Sequence, residues 1–537
     1  MPEIREDEFR PKPFGRADAA FFIAAFVFIY TQLFALPFTP IYFEGDHLIS
    51  VSNAMRMLQG EVIYRDFFHL TPPGTELIYE SMFALFGVRV WILNAAIVAL
   101  GVAQVWLLWF FARNVMSGPI VYLPAALFLA VGFRHFGIDG TYRLFSVVFV
   151  LAAAAVLMKD RSWSRLILAG CLCGISSFFV QTRGLSGIAG ICVFLLWENY
   201  RGGFNLKALV KSGLYVGGPF LLTIAATHSY FAWQAGFENY YFSLVTFLRD
   251  HYPHDPLAKT TALFSDLPDF NSYLDVYSRP AAISRYVRAV SPTLFYYLLI
   301  PLIYIVYLIF RRVRSHNEGS SAIDARLVLL SSVGIFLAAS VSAPTGYRLY
   351  HIAIPGLVIF GWLISRVSRS QQVAMAALVL LAVLGISYVV QRQVHEKVYL
   401  DLPAGEAAFL YPYIAERYQW IGKNVNAGET LYEAQHPTFY FPFHLKNPTP
   451  LYVVRDSNYT PAFQIDAVMA GLAKDPPRII VWNGFWSKPP ELREPGDNLA
   501  PLWEYIQTNY QLAVEFEDFG DYTLNSERSI QFWVRKD

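Results

Sequence analysis

The sequence predicts a polytopic α-helical membrane bundle followed by a soluble α/β domain. Three observations carry that prediction. The chain is 55% hydrophobic and only 15% charged, where soluble domains are about 25% charged. Apolar runs long enough to enter a bilayer recur between Ala20 and Gln391, separated by short polar loops. Beyond Gln391 the composition turns polar enough to fold in water.

The apolar runs read as spans at Ala20–Phe38, Val90–Phe111, Ile120–Phe133, Leu144–Met158, Leu166–Val180, Leu185–Trp197, Leu209–His228, Pro292–Phe310, Leu327–Val341, Tyr350–Ile364 and Val373–Val390. That is about eleven, several of them shorter than the ~20 residues of a full crossing. Short crossings fit inside a bundle. The expected division is a cytoplasmic segment over residues 1–19, a membrane domain over 20–391 with an outer loop at 41–87, and a soluble domain over 392–537. With the N-terminus inside, inner segments hold Arg5, Arg10, Lys12, Arg113, Lys159, Arg161, Arg165, Arg311, Arg312 and Arg326. Outer loops hold fewer basic residues, and that bias predicts an inside N-terminus. An odd number of spans then puts the first loop, the loop 229–291 and the C-terminal domain outside. The first run has no small-residue cleavage site and reads as an uncleaved helix.

In the soluble part, Glu406 to Val425 and Leu502 to Tyr510 read as helices. Glu429–Tyr432, Arg478–Trp482 and Ile530–Val534 read as strands. Alternating helix and strand predicts an α/β domain. Its turns, such as Pro448-Thr449-Pro450 and Lys488-Pro489-Pro490, form no nucleotide-binding loop.

Composition excludes several classes. A net charge of +1 gives no electrostatic footprint for nucleic acid. The three cysteines, Cys171, Cys173 and Cys192, lie in apolar runs and read as packing residues. No disulfide framework or metal-ligand cluster is visible.

The polar segment from Ile41 to Gly87 is the most informative stretch. It gathers Glu44, Asp46, His47, Arg56, Glu61, Arg65, Asp66 and His69 between two spans. Charges beside spans face water, an ion or a substrate. The bland alternative is a hydrated loop whose acids cap surface helices. Asp46 is a good N-cap residue, and Leu48, Val51, Met55 and Leu58 recur at helical spacing until Gly60. A short amphipathic helix on the membrane surface follows from that pattern. Pro72-Pro73-Gly74 makes a stiff turn, and a second short helix runs from Thr75 to Phe86, stopped by Gly87.

Glu44-Gly45-Asp46 after the first span, then Gly60-Glu61-Val62-Ile63-Tyr64-Arg65-Asp66-Phe67-Phe68, Thr71-Pro72-Pro73-Gly74 and Leu85-Phe86-Gly87, resembles bacterial membrane glycosyltransferases of the GT-C fold. These are the relatives of protein O-mannosyltransferases and of the lipid A aminoarabinose transferase. The resemblance implies that Asp46, the acid of the first outer loop, sits at the catalytic centre. It also implies a second acid at the start of the fourth span, matched by Asp139. Capping of that helix is an equal reading for Asp139. Arg183 matches a basic position at the outer end of span five, although a lone interfacial arginine also snorkels. Arg348 and His351, at the mouth of span ten, suit a phosphate-bearing lipid. A neutral histidine hydrogen-bonded within the bundle is nearly as good a reading for His351. Many relatives carry Asp-Glu where this chain has Asp46-His47.

The reaction implied is inverting sugar transfer from a polyprenyl-phosphate-linked donor to a lipid, glycan or protein acceptor at the outer face of a bacterial inner membrane. Asp46 would act as general base. Arg183 and Arg348 would hold the leaving phosphate, with His351 in a lesser role. Glu44, His47, Arg65, Asp66 and His69 complete the expected substrate contacts. No cofactor is required, although some GT-C enzymes use a divalent metal. The competing classes are a transporter or flippase of lipid-linked glycans, a polysaccharide ligase, and a non-catalytic scaffold. The segment Arg249-Asp250-His251-Tyr252-Pro253-His254-Asp255 marks the loop 229–291 as either a lid or a plain solvated loop.

Overall fold

The computed structural model describes residues 13–137, 139–254, 267, 270–276, 278–314, 322–341, 345–517 and 529–536. Arg5, Arg10, Lys12 and Asp255, named above, lie outside these residues. The chain divides into two compact units. One comprises residues 1–36, 96–228 and 291–394; the other comprises 37–95, 229–290 and 395–537.

The described residues of the first unit are mostly helical, apart from the short strand Phe34–Ala35 and connecting loops. Every predicted span coincides with a helical segment, from Arg16–Leu33 to Ser370–Val394. Among the described residues seven helices are long and apolar enough to cross a membrane, and the chain is a multi-pass membrane protein. Without water to satisfy backbone groups, a helix is the form such apolar runs must take. Small residues let these helices approach closely. A Cβ on Gly170 would lie 2.2 Å from the carbonyl oxygen of Val216, and one on Gly190 would lie 2.8 Å from the Cα of Val333. Cys173 packs in this interior, whereas Cys192 is exposed, so a packing role does not extend to it. Arg326 closes helix ends, donating to the carbonyls of Met158 at 3.1 Å and Asn114 at 2.9 Å. A cation at helix C-termini also complements their dipoles.

The second unit joins the loop after the first predicted span to the C-terminal region. Thr39–Tyr42 pairs in parallel with Gly405–Phe409, matching Ile41 to Ala408 and Tyr42 to Phe409. Gly405–Phe409 pairs antiparallel with Val398–Leu402. A second sheet runs in the order Leu431–Glu433, Ile479–Asn483, Ser529–Arg535, Tyr510–Glu517. Its first pair is parallel and the rest antiparallel. Helices Pro412–Asn424, Ala462–Lys474 and Ala500–Asn509 complete the α/β region. Trp482 stacks on Trp503 at 5.5 Å in its core, among Ile465, Val468, Leu472 and Ile506.

Two local expectations need correction. Glu406 to Val425 is not one helix, because its first residues form the strand Gly405–Phe409 and only Pro412–Asn424 is helical. Proline suits the first helical turn but cannot continue a helix from before it. The helix His47–Leu58 does not lie on a surface with one face covered. It is buried from His47 to Arg56 except at Ile49, with Ser50, Ser52 and Asn53 included. The C-terminal region covers its polar side: Arg56 donates to the carbonyl of Thr449 at 2.9 Å. The second loop helix, Gly74–Phe86, falls where predicted and ends at Gly87 with φ +74°. That left-handed backbone is accessible to glycine at little cost.

Gly170→Leu is expected to destabilise the membrane unit, since overpacking a close helix contact costs about 1–3 kcal/mol. Thermal melts of detergent-purified protein followed by size-exclusion chromatography would check this. A variant as stable and monodisperse as wild type would show that the helices can part without cost.

Candidate functional site

The predicted site residues fall on both units. In the second unit, strand Thr39–Tyr42 leads straight into the acids. Tyr42 packs on Phe409 at 5.2 Å and on Tyr418 at 5.1 Å. Glu44 pairs with Arg417 at 3.2 Å, and the arginine side chain is 2% exposed. His47 is buried and donates from Nε2 to the carbonyl of Phe43 at 3.0 Å. Asp46 makes no capping hydrogen bond, contrary to expectation. Its backbone is already helical, at φ −53° and ψ −24°, whereas a capping residue needs extended geometry. Its carboxylate therefore turns outward and is 50% exposed.

A residue absent from the sequence-based expectation faces that carboxylate. His436 Nε2 lies 4.0 Å from Asp46 Oδ1, with its side chain 23% exposed. It sits between strand Leu431–Glu433 and the short helix Tyr440–Phe443. The buried carboxylate of Glu433 holds this connection by accepting from the backbone of Thr438 at 2.7 Å and Phe439 at 3.2 Å. Burial lowers the imidazole of His436 to about 4, against the opposing pull of the Asp46 charge. It is therefore neutral at neutral pH. Burial raises Glu433 to about 8; the hydrogen bonds from Thr438 and Phe439 oppose the shift and the Glu44 charge adds to it.

The remaining loop residues are engaged with one another. Arg65 donates twice to Asp66, at 2.9 and 2.8 Å. Asp66 also accepts from the amide of Val62 at 2.7 Å. These bonds, led by those from Arg65, hold the Asp66 carboxyl below its ordinary range. His69 is buried, 3.1 Å from Glu76, 2.6 Å from the Thr71 hydroxyl and 3.2 Å from Asn53. Arg56 donates to Glu61 at 2.8 Å and covers the ring of Phe67. Such contacts knit the irregular crossing between the two loop helices.

In the first unit the structure gathers Asp139, Arg143, Arg183, Arg348 and His351. Asp139 is buried, accepts from the amide of Thr141 at 3.1 Å, and pairs with Arg143 at 3.2 Å. Thr141, not Asp139, is the N-cap of helix Tyr142–Val156. Arg143 lies against the rings of Tyr142 and Tyr347. Arg183 donates to the carbonyl of Leu337 at 3.3 Å and to Ser340 Oγ at 3.0 Å. Arg143 and Arg348 are electrostatic neighbours of Arg183, and His351 is fully buried beside Arg183 and Arg143. The group thus holds three arginines and one carboxylate, of which Arg143 pairs with Asp139. Arg143 is absent from the site expected from the sequence. Its spacing of four residues from Asp139, across the start of a span, was the available signal.

Among the described residues no group of three or more His, Cys, Asp or Glu side chains is placed to hold a metal ion.

Residues 71–231 match the family model described as dolichyl-phosphate-mannose-protein mannosyltransferase. No curated protein matches the chain in sequence. Among solved structures it is similar to ArnT from Cupriavidus metallidurans in the apo state, with a TM-score of 0.57 and 13% identity over 96% of this chain and 97% of that one. The same protein bound to undecaprenyl phosphate gives a TM-score of 0.50, with 13% identity and the same coverage. Archaeal oligosaccharyltransferase AglB from Archaeoglobus fulgidus, in complex with an inhibitory peptide and a dolichol-phosphate, gives 0.53, with 11% identity over 97% of this chain and 76% of that one. At such identities the likeness shows the fold, a helical membrane part with a C-terminal α/β region.

The Glu433 carboxyl gives a pH signature. Its folded value, about 8, lies above the ordinary 4.5. The native state therefore holds a proton that the unfolded chain has lost, and this stabilisation is complete below about 4.5 and lost as pH rises through about 8. Melting temperature is expected to fall by a few degrees between pH 6 and pH 9 (both about), and Glu433→Gln to flatten that fall. Equal slopes for the two proteins would remove Glu433 as the cause.

Proposed function

We propose that this chain, a membrane protein of the GT-C fold, transfers a sugar from a polyprenyl-phosphate-linked donor to an acceptor hydroxyl, with inversion. The observation that carries the reading is Asp46. Its carboxylate is half exposed, makes no capping bond and lies 4.0 Å from the imidazole of His436. A base must reach the proton it removes, and Asp46 is the acid of this loop turned toward solvent.

Asp46 takes the proton as the acceptor oxygen attacks the anomeric carbon. The bond from that carbon to the phosphate oxygen breaks, and its electron pair leaves with the phosphate. One base and no covalent sugar–enzyme intermediate give inversion. Separately, the arginine group of the first unit suits a phosphate. Arginine holds phosphate with paired, charge-assisted hydrogen bonds, and a developing charge is stabilised by donors already in place. Asp139, paired with Arg143, orients that guanidinium. The bound undecaprenyl phosphate of ArnT and dolichol-phosphate of AglB support a polyprenyl phosphate as the carrier. The match of residues 71–231 to a mannosyltransferase model supports the class of reaction. In a bacterium the site would face the periplasm from the inner membrane, with the N-terminus inside.

Two measurements test this. Asp46→Asn is expected to lower product formation by about 10²–10⁴-fold, read by mass spectrometry of lipid and glycan products from purified protein and host lipid extract. Identical products and rates from both proteins would end the transferase reading and favour a transporter. Arg348→Gln is expected to weaken binding of undecaprenyl phosphate about tenfold, the order of one charge-assisted hydrogen bond. Native mass spectrometry would read it, and unchanged binding would take Arg348 out of the phosphate site.

A further inference from the structure

We propose that His436 takes the proton from Asp46 after each transfer and releases it to water, so that the C-terminal region completes the acid site as well as packing against it. The proposal rests on Asp46 being the base. A base that removes a proton in every turnover must lose it before the next.

The geometry favours His436 for that task. Its Nε2 is 4.0 Å from Asp46 Oδ1, slightly beyond a hydrogen bond of about 2.7–3.2 Å. A small ring rotation or one bridging water closes that distance. The ring cannot wander far, because its connection is held at several points. Besides the two bonds to Glu433, the amide of Ala434 donates to Val481 at 3.1 Å, and its carbonyl accepts from Val454 at 3.0 Å. The amide of Thr438 donates to the carbonyl of His436 itself at 2.8 Å. One side of the imidazole remains open to solvent.

Burial keeps the ring a neutral acceptor, and the Asp46 charge pulls the other way. Asp46 and His47 approach from the loop helix, and Arg455 from the C-terminal region. His47 is committed to the Phe43 carbonyl. Arg455 lies against the carbonyls of Gln435 and Val454, at 3.5 and 3.3 Å. Glu44 is paired with Arg417. Asp46 is thus the carboxylate set against the ring. An imidazole brought down to about 4 has a basicity close to that of an ordinary carboxylate. A proton passes between two such groups without a large free-energy difference.

The step balances. The acceptor O–H bond breaks, and its proton moves to an Asp46 oxygen while the oxygen–carbon bond forms and the phosphate departs. The proton then passes from Asp46 to Nε2 of the Nδ1–H tautomer, and from there to water. His436 acts through Asp46 and does not touch the sugar; it is a positioning residue.

The test uses full-length protein in detergent with host lipid extract, comparing wild type, His436→Ala, His436→Gln and Asp46→Asn. His436→Ala is expected to slow multiple turnover about tenfold, while the first turnover and the KM values stay near wild type. Added imidazole should restore turnover in proportion to its concentration. His436→Gln, close to histidine in size, should be equally slow. Wild-type turnover in both His436 variants overturns the relay, as does a slow first turnover that imidazole does not rescue. If Asp46→Asn is inactive while the His436 variants turn over normally, the relay alone fails. If Asp46→Asn is fully active, the base reading fails and takes the relay with it. A second measurement needs no turnover. The pH midpoint for modification of His436 by diethyl pyrocarbonate, mapped by peptide mass spectrometry, should fall in Asp46→Asn, because the carboxylate favours the charged ring. A midpoint common to both proteins overturns the proposal.

Discussion

The acid site depends on a very short parallel strand pairing. Two matched residue pairs join Thr39–Tyr42 to Gly405–Phe409, across more than 360 positions of sequence. A ladder so brief cannot bear the entropy of closing that loop by itself. It is held by what flanks it. Tyr42 lies between Phe409 and Tyr418, and the next acid along, Glu44, meets the buried guanidinium of Arg417. Losing one partner of such a pair strands a charge, which is why a buried ion pair fixes position better than it adds stability. The chain therefore leaves the strand in one direction, and Asp46 starts its helix at a fixed place.

From that start the polarity of the first loop becomes intelligible. Arg56 is satisfied by Glu61 and Thr449, Arg65 by Asp66, and His69 by Asn53 and Thr71. Buried polar groups left without partners would cost about 1–3 kcal/mol each. Their pairing lets a highly charged segment fold tightly beneath the C-terminal region. Asp46 differs because of its backbone. A residue that has already entered the helix cannot fold its side chain back onto the first amides, so its carboxylate points outward.

Much of this was legible in the sequence and some was not, for a physical reason. Periodicity, Pro72-Pro73 and the glycines at 60 and 87 located both loop helices, because those signals act over a few residues. The same local logic failed at Glu406–Phe409, where pairing with the adjacent strand Val398–Leu402 and the distant Thr39–Tyr42 overrides helical preference. It failed at His47–Leu58, whose polar residues read as solvent-facing until Thr449 and Tyr452 covered them. Arg417 and His436 carry no local signal at all. Their roles exist only because they approach Glu44 and Asp46 from hundreds of residues away. Arg143 was within reach of sequence reasoning, through its four-residue spacing from Asp139.

The first unit handles charge differently. Burying Arg143 and Arg183 with one carboxylate, beside a partly buried Arg348, is unfavourable unless the buried guanidinium groups find other partners. Arg183 uses a carbonyl and a hydroxyl, and Arg143 uses Asp139 and two tyrosine rings. Carbonyls and aromatic faces stabilise a cation without cancelling its charge. A carboxylate partner for each guanidinium would have cancelled that charge. The group instead keeps an excess of positive charge where its helices begin, the charge that the proposed phosphate would meet.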